Sequence, residues 1–233
     1  LHTAQFMVTT DTELNQIASF FPGAMSEARN IELGPVMQKT GVFDLVVISP
    51  DDPEAMLRHT QTCREERIPF AADPSQQMAR MSGDEIKKLI DGATYLFMNE
   101  YELALAIQKT GWSDAEILER VETRVITLGS AGAKVERRGN SEVRVGVPKE
   151  KAKVDPTGVG DSFRSGFIAG VAWGLNDERC AQLGSMIATY VIETKGTQEY
   201  RFTRSEFVSR FAESYGKTAA SEIEKHIPML ENA

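Results

Sequence analysis

The chain carries the sequence Lys153-Val-Asp-Pro-Thr-Gly-Val-Gly-Asp-Ser-Phe-Arg-Ser-Gly-Phe167, in which a short segment runs into a glycine turn. Apolar residues then continue at spacings of three and four, which predicts a helix that begins in this turn. The unpaired N–H groups and the dipole of a helix start attract anions, and Gly158 and Gly160 allow close approach to the backbone. Asp161 lies in the first turn. On this motif alone, Asp161 is equally well interpreted as a cap or as a base that takes a proton from a substrate hydroxyl.

The composition bounds the class of protein. The chain has 233 residues, of which 41% are hydrophobic and 26% are charged, as in an ordinary globular protein with one large α/β domain or two small ones. The net charge is −8. An acidic chain without a basic block argues against nucleic acid or an anionic membrane as the main partner. It leaves a phosphate ligand open, because a local nest of backbone amides can hold an anion.

The compartment is predicted from three further features. The apolar run from Phe167 to Leu175 is too short to span a bilayer, and we find no charged-then-apolar leader, so a cytoplasmic location is expected. Cys63 and Cys180 lack the spacing of a metal or redox site and are expected to be reduced and partly buried. Because the first residue is Leu1 rather than Met, we expect the natural protein to have a further N-terminal portion.

Two kinds of secondary structure follow each other along the chain. Thr3–Thr10 and Gln16–Phe21 are predicted to form a hairpin-like strand pair, and Glu32–Lys39 a short helix. From Phe43 onward strands and helices alternate, which predicts a mostly parallel sheet with helices on both faces. The predicted strands are Phe43–Ile48, Pro69–Ala72, Tyr95–Met98, Arg124–Leu128, Ala133–Arg138 and Glu142–Val147. The predicted helices are Pro53–Glu66, Asp84–Ile90, Glu100–Lys109, Ser113–Val121, Asp161–Gly174, Asp177–Thr194 and Arg204–Ser214.

Polar residues gather where the predicted strands end. Ligands of open α/β sheets bind beyond the carboxyl ends of the strands, so we expect these clusters to converge on one crevice. The five clusters are Ser49–Asp52, Asp73–Gln77, Asn99–Glu102, Thr127–Gly132 and Asp155–Asp161.

The individual clusters allow more than one interpretation. Asn99 and Glu102 share one face of a helix start and suit a hydrated Mg²⁺, although without context a capped helix is favoured about two to one. The glycines between Thr127 and Gly132 could border a nucleotide or form an ordinary turn. Gln76 and Gln77 offer amides to a polar substrate, and in isolation are more simply loop surface. The three scattered histidines and the absence of a Walker pattern argue against zinc or triad hydrolysis and against a Walker-type nucleotide site.

Taken together, these segments resemble the ribokinase-like (PfkB) family of sugar and nucleoside kinases. Asp155–Asp161 is similar to the family's second signature, Asn99-x-x-Glu102 to its magnesium and phosphate motif, and Thr127–Gly132 to its nucleotide loop. The resemblance covers essentially the whole chain, although the family's first glycine signature and its ribose-binding aspartate have no counterpart. The segments that look most like bacterial adenosine kinases are Asp11–Ile17, Phe21–Met25, Asp73–Gln77 and Glu193–Tyr200.

The resemblance implies a fold and a reaction. The fold is ribokinase-like α/β, with residues 1–24 as part of a small β lid and residues 25–233 as the nucleotide-binding kinase domain. The reaction is phosphoryl transfer from ATP to the 5′-hydroxyl of adenosine, giving AMP, as in purine salvage. The lid strands are also a candidate contact of a homodimer, and neither nucleic acid nor membrane is expected as a partner.

The resemblance also implies roles for individual residues. Asp161 would be the general base, and the backbone of Gly158, Val159, Gly160 and Asp161 the anion hole. The nucleotide would be bordered by Asn99, Thr127, Gly129, Ser130, Gly132, Gly160 and Ser185. The acceptor would contact Gln76, Gln77, Asn15, Gln16 and Asp161. Mg²⁺ would be held through water by Asn99 and Glu102, and a candidate K⁺ site is formed by Asp155, Thr157, Val191 and Gly196.

Two alternatives remain at this stage. A ribokinase-like sugar kinase would use the same machinery on ribose or fructose. A catalytically idle nucleotide-binding protein would bind ATP without turnover.

Overall fold

The fold is known from a computed structural model that describes residues 1–13 and 16–227. Eight strands alternate with helices within these residues. The strands are β1 Gln5–Thr10, β2 Gln16–Phe21, β3 Val46–Ile48, β4 Phe70–Ala72, β5 Tyr95–Asn99, β6 Thr123–Thr127, β7 Ala133–Arg137 and β8 Val143–Val145. The α-helices are α1 Leu33–Thr40, α2 Pro53–Glu65, α3 Gly83–Ile90, α4 Glu100–Thr110, α5 Asp114–Glu119, α6 Val159–Ala172, α7 Asp177–Ile192, α8 Arg204–Tyr215 and α9 Lys217–Glu224.

The strands form two sheets. β1 and β2 pair antiparallel, from Gln5 opposite Phe21 to Thr10 opposite Gln16, which confirms the predicted strand pair. The other sheet has the order β3-β4-β5-β6-β7-β8. Its β3, β4 and β5 run parallel, whereas β7 and β8 are antiparallel, so the sheet is mixed.

The chain divides into two compact units. The first contains Leu1–Ile126 and Glu136–Ser141, and the second contains Thr127–Val135 and the chain from Glu142 onward. In the first unit, β4 and β5 supply a core of Phe70, Leu96 and Phe97. In the second, Met186, Phe207, Phe211 and Ile223 form the centre of an apolar cluster. The predicted boundary at residue 24 between lid and kinase domain stays a prediction.

The structure departs from the predicted elements where local sequence signals are weak. The predicted strand Phe43–Ile48 forms only at Val46–Ile48, because β3 ends the sheet and its Val47 is 43% exposed. The sequence did not predict α9, whose start has no side-chain cap, or a 3₁₀ helix at Gly23–Asn30. Tertiary packing stabilises α9 instead, through buried Ala219, Ala220 and Ile223.

The strand pair β1–β2 carries exposed apolar side chains, among them Phe6 and Ile17, the latter 81% exposed. The homodimer contact expected here stays a prediction. None of the helices in the described part of the chain has the length and apolar character that crossing a membrane requires.

Candidate active site

The start of α6 differs from most other helix starts in the described chain. Side chains cap α2, α3, α4, α5, α7 and α8. At the start of α6 the capping position is Gly158, and no side chain of the described residues caps the first turn. The first-turn N–H groups of a long helix are therefore left without a side-chain cap, which is the arrangement that suits an anionic ligand.

Gly158 has a backbone conformation and a neighbour that both require glycine. Its φ is +80°, in the left-handed region, and a Cβ at this position would lie 2.9 Å from the Thr197 side chain. A larger residue would be strained and would also collide. The glycine of the motif is thus explained by the geometry of the turn itself.

Hydrogen bonds fix the loop before α6 to the end of α7. Asp155 accepts from the Thr157 N–H at 2.9 Å and, through its other oxygen, from the Gly196 N–H at 3.1 Å. The Val154 N–H donates to the Ile192 carbonyl at 2.8 Å. The hydrogen bonds from Thr157, and then the one from Gly196, lower the pKa of Asp155 below its ordinary value. The carboxylate is therefore held ionised.

These contacts also test the candidate K⁺ site. Asp155, Thr157 and Gly196 are brought together as predicted, and an ionised carboxylate favours a cation. The Val191 carbonyl accepts from the Thr194 N–H at 3.0 Å within the same turn. The ionised Asp155 carboxylate fits a monovalent cation in charge, and binding of the cation stays a prediction.

Asp161 lies at the open side of this turn. Its side chain is 76% exposed and is paired with Arg164, one helical turn later. Exposure leaves the carboxylate accessible to a substrate hydroxyl. A cavity of about 470 Å³ adjoins it, lined by Gly158, Asp161, Ser162, Ser165, Thr197, Gln198 and Tyr200.

A larger cavity lies elsewhere in the second unit, between the Val147–Lys151 segment and α8. Its volume is about 780 Å³, and Arg210 on its wall is held by Glu193, by the Lys149 carbonyl and against the Tyr190 ring. None of the predicted site residues in the described part of the chain lines this cavity. The volume of a cavity alone therefore does not identify the candidate active site.

In the first unit, Asn99 and Glu102 form a closed capping box. The Asn99 side chain accepts from the Glu102 N–H, and Glu102 accepts from the Asn99 N–H, both at 2.8 Å. The other Glu102 oxygen lies 3.1 Å from the Ser75 hydroxyl. The capping interpretation is thus confirmed. The carboxylate is at the same time held in one orientation, which fits an outer contact to a hydrated Mg²⁺.

The three polar clusters of the first unit are joined by hydrogen bonds. Ser75 connects Asp73–Gln77 to Asn99–Glu102, and the Gln77 amide donates to the Asp51 carbonyl at 2.8 Å. Gln77 is buried, whereas Gln76 is exposed. Of the two glutamines, Gln76 is therefore the one whose amide is accessible to a ligand.

The remaining predicted residues lie in different surroundings. A 3₁₀ turn spans Gly129–Ala131, and the Leu128 N–H donates to the Gly132 carbonyl at 2.7 Å. A Cβ on Gly132 would lie 1.9 Å from the Val145 carbonyl oxygen, so packing alone explains this glycine. Thr127 is the last residue of β6, and Ser130 lies within the 3₁₀ turn.

Ser185, predicted to border the nucleotide, is 1% exposed. It lies inside α7, among the buried residues of that helix. Gln16 is exposed on β2 and donates to Thr10, and Asn15 lies outside the described residues. The structure thus gives Ser185 a buried position that disfavours direct contact with a ligand.

Two residues that contact predicted site residues, one in each unit, were not singled out from the sequence. Arg164 follows Asp161 at the i,i+3 spacing of helix side-chain pairs, so this partner was readable in advance. The role of Ser75 was not readable from the sequence, because its φ of +42° and its contact with Glu102 arise only in the folded chain.

Comparisons with known proteins give a consistent picture. The model of the pfkB family carbohydrate kinases matches residues 1–203. A nucleoside kinase of Methanocaldococcus jannaschii is 30% identical over 208 residues, which are 89% of this chain and 67% of that protein. The chain thus spans about two thirds of the length of this relative.

Solved structures agree with the family match. A nucleoside kinase of Burkholderia thailandensis in complex with inosine superposes with a TM-score of 0.87 and 34% identity, over 92% of this chain and 70% of that one. The same enzyme has been solved with ADP-inosine. A ribokinase of Thermotoga maritima, 21% identical over 89% of this chain and 69% of that one, shares the fold with a TM-score of 0.70.

Proposed function

Because this chain belongs to the pfkB family of carbohydrate kinases and has the ribokinase-like fold, we propose that it transfers a phosphoryl group from ATP to the 5′-hydroxyl of adenosine, giving AMP. Its relatives are nucleoside kinases and ribokinases, so a nucleoside or sugar kinase is the broader class. ATP as the donor is supported by the relative that was solved with ADP-inosine. The proposed reaction is a step of purine salvage.

One observation carries this proposal: the uncapped start of α6 presents its amides beside an accessible carboxylate. In the reaction, the hydroxyl oxygen forms a bond to the γ-phosphorus of ATP. The bond from this phosphorus to the oxygen that bridges the β- and γ-phosphates breaks, and ADP leaves with that oxygen. Asp161 takes the hydroxyl proton, and the Gly158–Asp161 amides stabilise the charge on the transferred group.

Metal binding would involve few residues of this chain. Mg²⁺ would be held through water by Glu102 and Asn99, and it would neutralise charge on the phosphate oxygens. The hydrogen bonds from Ser75 and from the Asn99 N–H fix the orientation of the Glu102 carboxylate. A K⁺ ion beside Asp155 would belong to the same loop as the anion hole.

On the acceptor side, Gln76 and Gln16 are the exposed amides among the predicted residues that the structure describes. An amide can donate or accept, so it can pair with the amino group of adenosine or with the oxo group of inosine. Since a relative at 34% identity is described in complex with inosine, inosine is the second candidate acceptor.

A substrate panel tests the proposal. The natural protein would be assayed with ATP and Mg²⁺ against adenosine, inosine, cytidine, ribose and fructose, and we expect the highest kcat/KM for adenosine. A higher kcat/KM for inosine than for adenosine would identify inosine as the acceptor instead. Turnover of ribose or fructose without nucleosides would indicate a sugar kinase instead, and ATP binding without any turnover would indicate an idle nucleotide-binding protein.

A further inference from the structure

Arg164 contacts two parts of the candidate site at once. Its guanidinium donates to an oxygen of Asp161, and its Nη1 lies 3.4 Å from the position that a Cβ on Gly160 would occupy. The Arg164 side chain is only 17% exposed, against 76% for Asp161. A largely covered cation therefore lies against both the glycine turn and the carboxylate of the candidate base.

The pair differs from the ion pairs that Arg179 and Arg210 make with Glu222 and Glu193. Arg179 and Arg210 join their own helices to Glu222 and Glu193 on other segments, and thereby connect parts of the fold. Arg164 pairs within its own helix, with an exposed partner. A pair of this kind contributes little to stability, because water screens it and both ends lie on one element.

A triphosphate bound at the start of α6 would bring a second negative charge near Asp161. Its terminal phosphate would come close to the Asp161 carboxylate, and two anions repel each other at short range. A guanidinium is a stronger partner for phosphate than for a single exposed carboxylate oxygen, because its planar fork can donate two parallel hydrogen bonds. The Arg164 side chain already lies against Gly160, beside the turn where such a ligand would bind.

We propose that Arg164 is a further catalytic residue that exchanges partners: it holds Asp161 in the free protein and binds the terminal phosphate of ATP in the complex. This inference rests on the proposed function. The exchange releases Asp161 to accept the hydroxyl proton and adds a positive charge beside the transferred group. Asp161 thus becomes available to accept a proton only when the γ-phosphate is bound.

Binding measurements separate this role from a structural one. Calorimetry would compare a non-hydrolysable ATP analogue with ADP on wild type and Arg164→Met. We expect the analogue to bind about 10- to 100-fold more weakly to the variant, from the loss of charged hydrogen bonds. ADP lacks the terminal phosphate, so its Kd should stay within about two-fold.

A double-mutant cycle tests the exchange itself. Asp161→Asn should tighten binding of the ATP analogue, because it removes both the repulsion and the competing partner of Arg164. In the Arg164→Met background the same change should have a smaller effect, which gives a measurable coupling. Equal effects of Asp161→Asn in both backgrounds would contradict the exchange.

Matched variants control for folding and charge. Arg120→Met removes a guanidinium that pairs with Asp91 in the first unit, and it should leave the preference for the ATP analogue over ADP unchanged. If Arg164→Met does not fold, Arg164→Gln replaces it, since its amide can still donate to Asp161 but carries no charge. Wild-type affinities in the Arg164 variants would overturn the inference, whereas failure of wild type to bind the ATP analogue would overturn the proposed function.

Discussion

Two helix starts in this molecule are built in opposite ways. At α4, Asn99 and Glu102 satisfy each other's backbone N–H groups in a closed capping box. At α6, the capping position is a left-handed glycine, and no side chain of the described residues caps the first turn. The first arrangement stabilises a helix by itself, whereas the second leaves the first turn without a side-chain cap, which suits an anionic ligand.

The difference shows how α6 forgoes a cap without loss of the helix. A side-chain cap contributes about 1 kcal/mol. α6 is instead held by close packing against α7, where a Cβ on Gly166 would lie 2.8 Å from the Gly184 Cα. Phe163 and Phe167 are buried on the same helix. Because packing positions the helix, its first turn need not contribute to stability and can serve binding.

The largest effect is expected from Asp161→Asn. Removal of a positioned base lowers kcat by about 10²- to 10⁴-fold, while the fold is unaffected because the side chain is exposed. Asp177→Asn is a matched control, since Asp177 also lies in the first turn of a helix. Initial-rate kinetics should show a loss of activity only for Asp161→Asn. Equal activity of the two variants would remove Asp161 from the role of base.

Gly158→Ala should come next, with effects on both stability and nucleotide binding. The left-handed backbone and the approach to Thr197 predict a loss of about 1–3 kcal/mol in the free energy of unfolding. Gly139→Ala is the control, because Gly139 has a φ of +75° with nothing within 4 Å of its Cβ position. Denaturant unfolding and ATP titration would compare the two. If Gly139→Ala weakens ATP binding as strongly, the turn at Gly158 is not the anion site.

A smaller effect distinguishes a cap from a metal site at α4. Asn99→Ala and Ser113→Ala each open a capping box, so each should cost about 1 kcal/mol of stability. If Asn99 also orients Glu102 toward hydrated Mg²⁺, only Asn99→Ala should raise the Mg²⁺ concentration needed for half-maximal activity. Identical Mg²⁺ dependence in both variants would leave Asn99 with the capping role alone.

The smallest effect concerns pH. Glu116 accepts hydrogen bonds from the backbone N–H and the hydroxyl of Ser113, and Glu206 accepts the same two bonds from Thr203. In each case the backbone bond, and then the hydroxyl bond, lowers the pKa of the glutamate below the ordinary value of 4.5. A carboxylate with a lowered folded pKa stabilises the protein above its unfolded pKa, and this stability is lost as pH falls through the folded pKa. The thermal midpoint should therefore decrease as pH falls below about 4.5. Glu116→Gln should make this decrease slightly shallower, and a steeper decrease would contradict the assignment.

Particular residues show where prediction from the sequence reached its limit. The helix predicted to start at Ser113 does start there, with Ser113 as its cap, because the signal of a helix start is local. The buried position of Ser185 was not predictable, since it depends on the packing around α7, where most residues are buried. Gln76 and Gln77 look alike in sequence, and only the folded chain shows that Gln77 is buried and donates to the Asp51 carbonyl while Gln76 is exposed.

The sequence by itself determined the alternation of strands and helices, the glycine turn before α6 and the acid in its first turn, because periodicity, capping and turn chemistry act over a few residues. Tertiary structure alone decided that Arg164 is largely covered, that Ser75 approaches Glu102 and that the Asp155 loop is fixed to the end of α7. These contacts are made by side chains and backbone groups that meet only after the chain has packed. Their energies depend on burial and distance, which no local pattern records.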